Sequence, residues 1–303
     1  MMSTRLLLDA GDCRLRIRLD PAHAPRTAAA LLAALPARID LHCAKIAGNH
    51  ILWHAPFVVD AEATSDVMAI PPGGFLYWPE RQFLELVFDA LQAETAQVTR
   101  LGQLETDVET LRVLGRRVQT IQGHAPLLAT LRQDDGAAPL AIAVPETREH
   151  PALARLVTAR QALWDGPPPE IAMLMARRGV MLPAGPLLYA EGYARMLHEM
   201  LWRHRAIARN GDHAAAARAG AETLRFAAER IGGFCHLTAS AATLQDAADH
   251  VRDHPELTLA LLDEAILFAG RLAAWLDSRI AWNDLTAATV RAAAEWPDRG
   301  DHG

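Results

Sequence analysis

The chain has 303 residues, 51% of them hydrophobic and 22% charged, which is enough apolar side chain to fill two cores. Its formal net charge of -6 gives no support to a duplex-binding surface, which needs clustered Lys and Arg against phosphates. Three widely spaced cysteines, Cys13, Cys43 and Cys235, form no CxxC pair, so neither a disulfide framework nor a zinc knuckle is written, and a reducing compartment is expected.

Met1 to Leu8 is far short of a signal peptide's apolar region, and no run reaches the roughly 18 apolar residues of a membrane span. A cytoplasmic protein is therefore expected. Residues 5–19 alternate, with Leu15, Ile17 and Leu19 against Arg14, Arg16 and Arg18, which predicts a half-buried strand. A helix over Arg26 to Leu35 ends at Pro36. Strands Ile39 to Ala47 and His50 to His54 flank Gly48-Asn49, a pair suited to a tight hairpin turn. Further strands are predicted at Phe75 to Trp78 and Phe83 to Phe88, then a helix over 106–122 with Leu111, Leu114 and Val118 on one face. Beyond residue 149, Ala/Leu-rich segments at 187–209, 212–231 and 256–279 are separated by Pro and Gly connectors, the pattern of a helical bundle.

Of the 30 basic residues only Lys45 is lysine. Either a surface lysine survived by chance in an Arg-rich chain, or this position needs an amine that can lose its proton when desolvated. With Gly48-Asn49 as the turn, Lys45 faces Leu52 and Cys43 faces His54, so Lys45, Cys43, His50 and His54 share one side, opposite His42, Ile51 and Trp53. That side is either solvated or a patch able to transfer protons. Glu85 interrupts the apolar run Phe83 to Phe88, where a carboxylate is paired, exposed, or desolvated and fit for acid/base work. Tyr77, Trp78 and Arg81 stand at a strand end beside it.

Glu191, Arg195, His198, Trp202 and Arg205 follow at spacings of four, three, four and three, making one helical stripe that is either solvated or an acid-binding wall between domains. Asp246, His250 and His254 have helical metal-ligand spacing, but Pro255 ends the helix, and no metal is expected. Cys235-His236 is a poor nucleophile pair because adjacent side chains rarely meet productively. No GxGxxG follows a strand and no GxxxxGK[ST] occurs, which disfavours nicotinamide and P-loop chemistry; no cofactor is expected.

Ala24-Pro25-Arg26-Thr27 entering an Ala/Leu helix resembles the first helix of cyclophilin-like folds. The Leu35-Pro36 stop, the His42 to Trp53 hairpin, Pro71-Pro72-Gly73-Gly74 before Phe75 to Trp78, the Glu85 strand and Leu114-Gly115-Arg116-Arg117-Val118 follow in order, so the resemblance covers about 5–123. The catalytic Arg and aromatic pattern of prolyl isomerases has no counterpart, so that activity is not carried over. The expected fold is α+β: a cyclophilin-like β-barrel domain (1–133), a linker (134–148), an all-α helical bundle domain (149–297) and a tail (298–303). That architecture is similar to the cucumopine synthase family. The resemblance implies a redox-neutral Pictet-Spengler-type condensation of L-histidine with 2-oxoglutarate. For that chemistry Glu85, His54 and Lys45 are the catalytic candidates, and Arg81, Tyr77 and Trp78 the substrate-binding ones. Small-molecule partners, no nucleic acid, no membrane and a homo-oligomer are expected; the alternative is a non-catalytic, oligomeric binder of small acids.

Overall fold

The structure is a computed structural model, and it describes residues 4–45, 48–92, 95–134, 150–176 and 184–295. The first strand of the sequence reading is two. β1 (Arg5–Ala10) and β2 (Cys13–Leu19) pair antiparallel, joined by Gly11-Asp12, where Gly11 takes a φ of 69° that a side chain would resist. Leu15, Ile17 and Leu19 are buried, while Arg14, Arg16 and Arg18 face out to carboxylates.

After α1 (Pro25–Ala33), the chain lays down β3 (Ala37–Cys43), β4 (Gly48–His54), the short β5 (Thr64–Asp66), β6 (Gly74–Trp78), β7 (Phe83–Leu91), β8 (Gln97–Leu104), α2 (Val108–Ile121) and β9 (Leu127–Gln133). The strands run in the order β2-β1-β9-β3-β4-β7-β6-β8, and β2 pairs again with β8, so eight antiparallel strands close into a barrel with β5 added beside β8. Closure brings β2 so near β8 that a Cβ on Gly102 would lie 2.1 Å from the Arg18 carbonyl oxygen. Leu6, Leu15, Trp53, Phe75, Tyr77 and Leu86 fill the barrel, and α2 packs Leu111, Leu114 and Val118 against the same core.

The hairpin register differs from the expected one. His42 pairs with Leu52 and Cys43 with Ile51, β3 ends at Cys43, and Gly48 and Asn49 belong to β4 rather than to a turn. Ile46 and Ala47 lie outside the described residues. Because side chains alternate along a strand, this shift moves His42 out to join His50 and His54, and turns Cys43 inward with Ile51 and Trp53.

The second half contains α3 (Pro151–Asp165), α4 (Pro169–Met175), α5 (Ala184–Arg209), α6 (His213–Glu229), α7 (Thr238–Asp253), α8 (Thr258–Asp277) and α9 (Trp282–Ala294). Three correspond to the predicted helical segments, and α7 carries Asp246 and His250 and stops just before Pro255, where the spacing ends a helix, while α3, α4 and α9 went unlocated in the sequence. The 134–148 linker lies, apart from Asp134, outside the described residues, as does the 298–303 tail. α8 is the central helix: it contacts α5, α3, α7 and α6, which explains a segment apolar nearly all round. No helix among the described residues is long and apolar enough to cross a membrane.

α5 and α8 also pack on the outside of the barrel. Gly270 of α8 lies against Gln82, which has a left-handed backbone (φ 57°) at the β6–β7 turn, and against His198 of α5. The outer faces of β4 and β7 are therefore covered, and β7 is buried on both sides from Phe83 to Phe88. This is why its sequence reads as an apolar run and not as an alternation.

Candidate active site

A chain of alternating charges joins the barrel to the helices. Arg271 of α8 donates to Asp40 (2.6 Å), Asp40 holds the His42 ring (2.7 Å), and the other ring nitrogen of His42 lies 3.3 Å from Asp277. The Lys45 ammonium sits 2.7 Å from Asp277, pairs with Glu191 of α5, and lies over the Trp282 ring. Glu191 also accepts from Arg195 (3.1 Å), whose other nitrogen lies 3.1 Å from His54 Nε2. Burial alone would lower the His42 pKa, but Asp40 and Asp277 more than reverse this and raise it to about 9, so His42 is an imidazolium bridging two carboxylates. Those carboxylates are held below the usual range although burial opposes it. His54 is the opposite case. Burial and the Arg195 guanidinium hold it well below the ordinary imidazole value, and since Arg can only donate, Nε2 accepts and the proton of the neutral ring is on Nδ1.

Beside this chain, between barrel and helices, is a cavity of about 240 Å³. Its lining includes Lys45, His50, Trp78, Arg81, Phe83, Glu85, Arg195 and Asp277. Three cations against two carboxylates make the lining net positive, which suits an anionic ligand. Glu85 is fully buried: Oε2 meets His50 Nδ1 at 2.7 Å, and Oε1 has no hydrogen-bond partner among the described residues. A carboxylate-imidazole pair at a cavity wall, with one carboxylate oxygen uncommitted, can take a proton from a bound molecule and return it.

The structure brings Glu85, Lys45, Arg81 and Trp78 to this one cavity. His54 sits behind the wall, edge-on to Phe83, and engages Arg195 instead of lining the cavity. Tyr77 is elsewhere. It points into the barrel core against Phe57, because β6 alternates and only one of Tyr77 and Trp78 can face the helices. His42, assigned to the core side by the tight-turn register, belongs to the charged chain, and Cys43 is turned inward, its thiol pushed up to about 12 by burial. The role of His50 as partner of Glu85 was missed. Its signal was a second polar residue in a buried strand, but the pairing spans 35 residues and needs the β4–β7 register, in which His50 stands opposite Val87. The helical stripe is no solvated face: Glu191, His198, Trp202 and Arg205 are buried, with His198 against Gln82 and Arg205 between Asp60 and Asp263.

Two other possibilities lose their geometry. Arg155 reaches both Asp246 (3.0 Å) and His250 (3.1 Å), putting a guanidinium where the trio would need a cation, and no group of His, Cys, Asp and Glu among the described residues is arranged to hold a metal ion. Cys235 is buried in the helical core with its thiol pushed up to about 11, the reverse of nucleophile activation.

Residues 14–123 match the model of the Cyclophilin-like family. A solved structure described as McbB in complex with tryptophan superposes with a TM-score of 0.77 over 93% of this chain and 99% of that chain, at 22% sequence identity. The overlap takes in both barrel and helices, so the α+β fold, a cyclophilin-like barrel followed by a helical region, is shared with a known structure. The solution structure of the hypothetical protein AF2241 from Archaeoglobus fulgidus overlaps 43% of this chain and 95% of that one, at a TM-score of 0.32 and 17% identity, too remote to support a structural statement. No curated protein sequence matches the chain.

Proposed function

We propose that this protein is a Pictet-Spengler-type cyclase that joins an aromatic amino acid to a 2-oxo acid, with L-histidine and 2-oxoglutarate as the first pair to test. The observation that carries this reading is the buried Glu85-His50 pair facing a cavity whose other charged walls are Lys45, Arg81, Arg195 and Asp277. The likeness of the whole fold to McbB, a protein seen with tryptophan, supports an amino acid as the amine.

In this reaction the amine attacks the keto carbon, and the carbinolamine loses one water to give an iminium. A ring carbon then attacks the iminium carbon, and loss of the ring proton restores aromaticity, with no net oxidation. Each step needs a proton donor or acceptor at the reacting atoms. Glu85 takes the ring proton, and its bond to His50 lets the pair carry that proton in either direction. L-Histidine and 2-oxoglutarate bring three carboxylates, which match Lys45, Arg81 and Arg195, and Trp78 offers a wall for the ring. His54 acts through Arg195 as a positioning residue. Cys13, Cys43 and Cys235 are free thiols, which fits a reducing compartment such as the cytoplasm. Self-association suits the exposed apolar side chains Tyr189, Phe226 and Phe234, two of which lie in mutual ring contact.

Purified protein given 2-oxoglutarate with either L-histidine or L-tryptophan should yield, by mass spectrometry, a product of the summed mass less one water. Glu85→Gln keeps shape and the acceptor for His50 but removes the base, so the rate should fall by about two powers of ten or more, with an unchanged circular dichroism spectrum. Saturable heat of binding with no product from either pair would overturn the cyclase and leave a binder of small acids.

A further inference from the structure

A second and larger cavity, about 700 Å³, adjoins the Glu85 cavity, and the two share Trp78 and Arg81 as a common wall. The roof of the larger one is a single stripe of α5 that includes Glu199, Trp202 and Arg203. Arg81 lies on the tip of the β6–β7 turn, its guanidinium over the Trp78 ring, and it is ion-paired with Glu199 across the gap between barrel and helix. Both partners of that pair are about a third exposed, at 35% and 36%, so water competes with it and it is weakly held. One turn further along α5, Arg203 has no ion pair among the described residues. Arg205, by contrast, is committed, locked between Asp60 and Asp263. Of the carboxylates lining the chamber, Asp60 is engaged by Arg205 and Arg209, Asp66 accepts from the Met68 amide, and Glu80 is exposed.

We propose that this chamber receives the far carboxylate of a dicarboxylic 2-oxo acid, and that Glu199 occupies that carboxylate's seat on Arg81 until the ligand displaces it. The keto end then lies in the Glu85 cavity, Arg81 exchanges one carboxylate for another, and Arg203 takes the second oxygen of the incoming group. Glu199 is thereby a specificity-determining residue. A monocarboxylic 2-oxo acid such as pyruvate does not reach the chamber and gains nothing from displacing Glu199, whereas an extended dicarboxylate does. The smaller cavity alone is tight for two reactants and their joined product, and the shared wall gives the longer reactant room without moving the Glu85-His50 pair. This inference rests on the condensation reading for the identity of the acid, but its test reads binding and not turnover.

Calorimetry on the full chain with 2-oxoglutarate and pyruvate as probes tests it, using wild type, Glu199→Gln and Arg203→Gln. Removing the competing charge in Glu199→Gln should raise selectivity for 2-oxoglutarate over pyruvate about tenfold, and Arg203→Gln should lower it by a similar factor. Equal changes for both probes, no change in either variant, or no binding of 2-oxoglutarate to wild type and Glu199→Gln alike would overturn the chamber. Selectivity shifts as expected in a protein that forms no condensation product would uphold the chamber and sink the cyclase.

Discussion

Lys45 shows how strongly surroundings decide the chemistry of a residue. As the one lysine in the chain it invited a reading as a neutral, desolvated amine, yet its side chain is 24% exposed and its ammonium donates to Glu191 and is ion-paired with Asp277 while lying over Trp282. An amine so engaged is a point charge available to a carboxylate, and it is poorly placed to attack a carbonyl. Arg can supply the charge but is bulkier and forks its donors, and Lys45 is part of the cavity wall. Steady-state kinetics of Lys45→Arg should therefore show kcat within about threefold of wild type and KM for the acid raised about tenfold. A loss of two or more powers of ten in kcat with an intact circular dichroism spectrum would restore the neutral amine.

Between elements, the closest approach of α8 to the barrel depends on a missing side chain. A Cβ on Gly270 would lie 2.7 Å from Gln82 Oε1 and 3.0 Å from His198 Cδ2. Gln82 cannot easily yield, since its amide donates to the Ala55 carbonyl and its oxygen accepts from His198. Two effects oppose each other in Gly270→Ala. Helix propensity favours alanine by about 1 kcal/mol, while overpacking a filled interface costs about 1–3 kcal/mol. With the nearest atom under 3 Å and its amide group held by two hydrogen bonds, overpacking should win, and urea denaturation should show a net loss of about 1–2 kcal/mol. A gain in stability would mean that Gln82 and His198 have room to move. The same contact sets how α5 and α8 cover β4 and β7, and thus which face of those strands holds the site.

For the whole molecule, buried histidines of opposite kinds should give stability a maximum in pH. Folded His42 binds its proton more tightly than the ordinary 6.5, up to about 9, so its contribution is complete below about 6.5 and is lost as pH rises through about 9. His198, depressed by burial and by Arg195 and Arg81 to about 3, and His54 stay neutral in the fold. The unfolded chain protonates them below about 6.5, so stability falls as pH drops from there. Asp40 and Asp277, bound as carboxylates, add a further loss only when pH falls below their ordinary 3.8. Urea midpoints taken from about pH 4 to about pH 10 should peak near 6.5. His42→Gln should flatten the alkaline limb and His198→Gln the acid one; an alkaline limb unchanged in His42→Gln would assign it to other groups.

What the sequence determined by itself is what local chemistry decides. The alternation of Leu15, Ile17 and Leu19 with arginines, the Pro and Gly breaks, and the long Ala/Leu segments lead to strands followed by helices, because period and punctuation are properties of neighbouring residues; that the strands close into a barrel was implied by the resemblance to cyclophilin-like folds. Glu85 in an apolar strand and the charged stripe on α5 were visible for the same reason: each is out of place in its own element. Tertiary structure decided the rest. The β3–β4 register put His42 outward and Cys43 inward, the docking side of α5 and α8 chose Trp78 over Tyr77, and β4–β7 pairing gave Glu85 its partner in His50. These outcomes turn on parity, since a strand shows either of its faces equally well until another element covers one, and the elements that do so here are more than a hundred residues away.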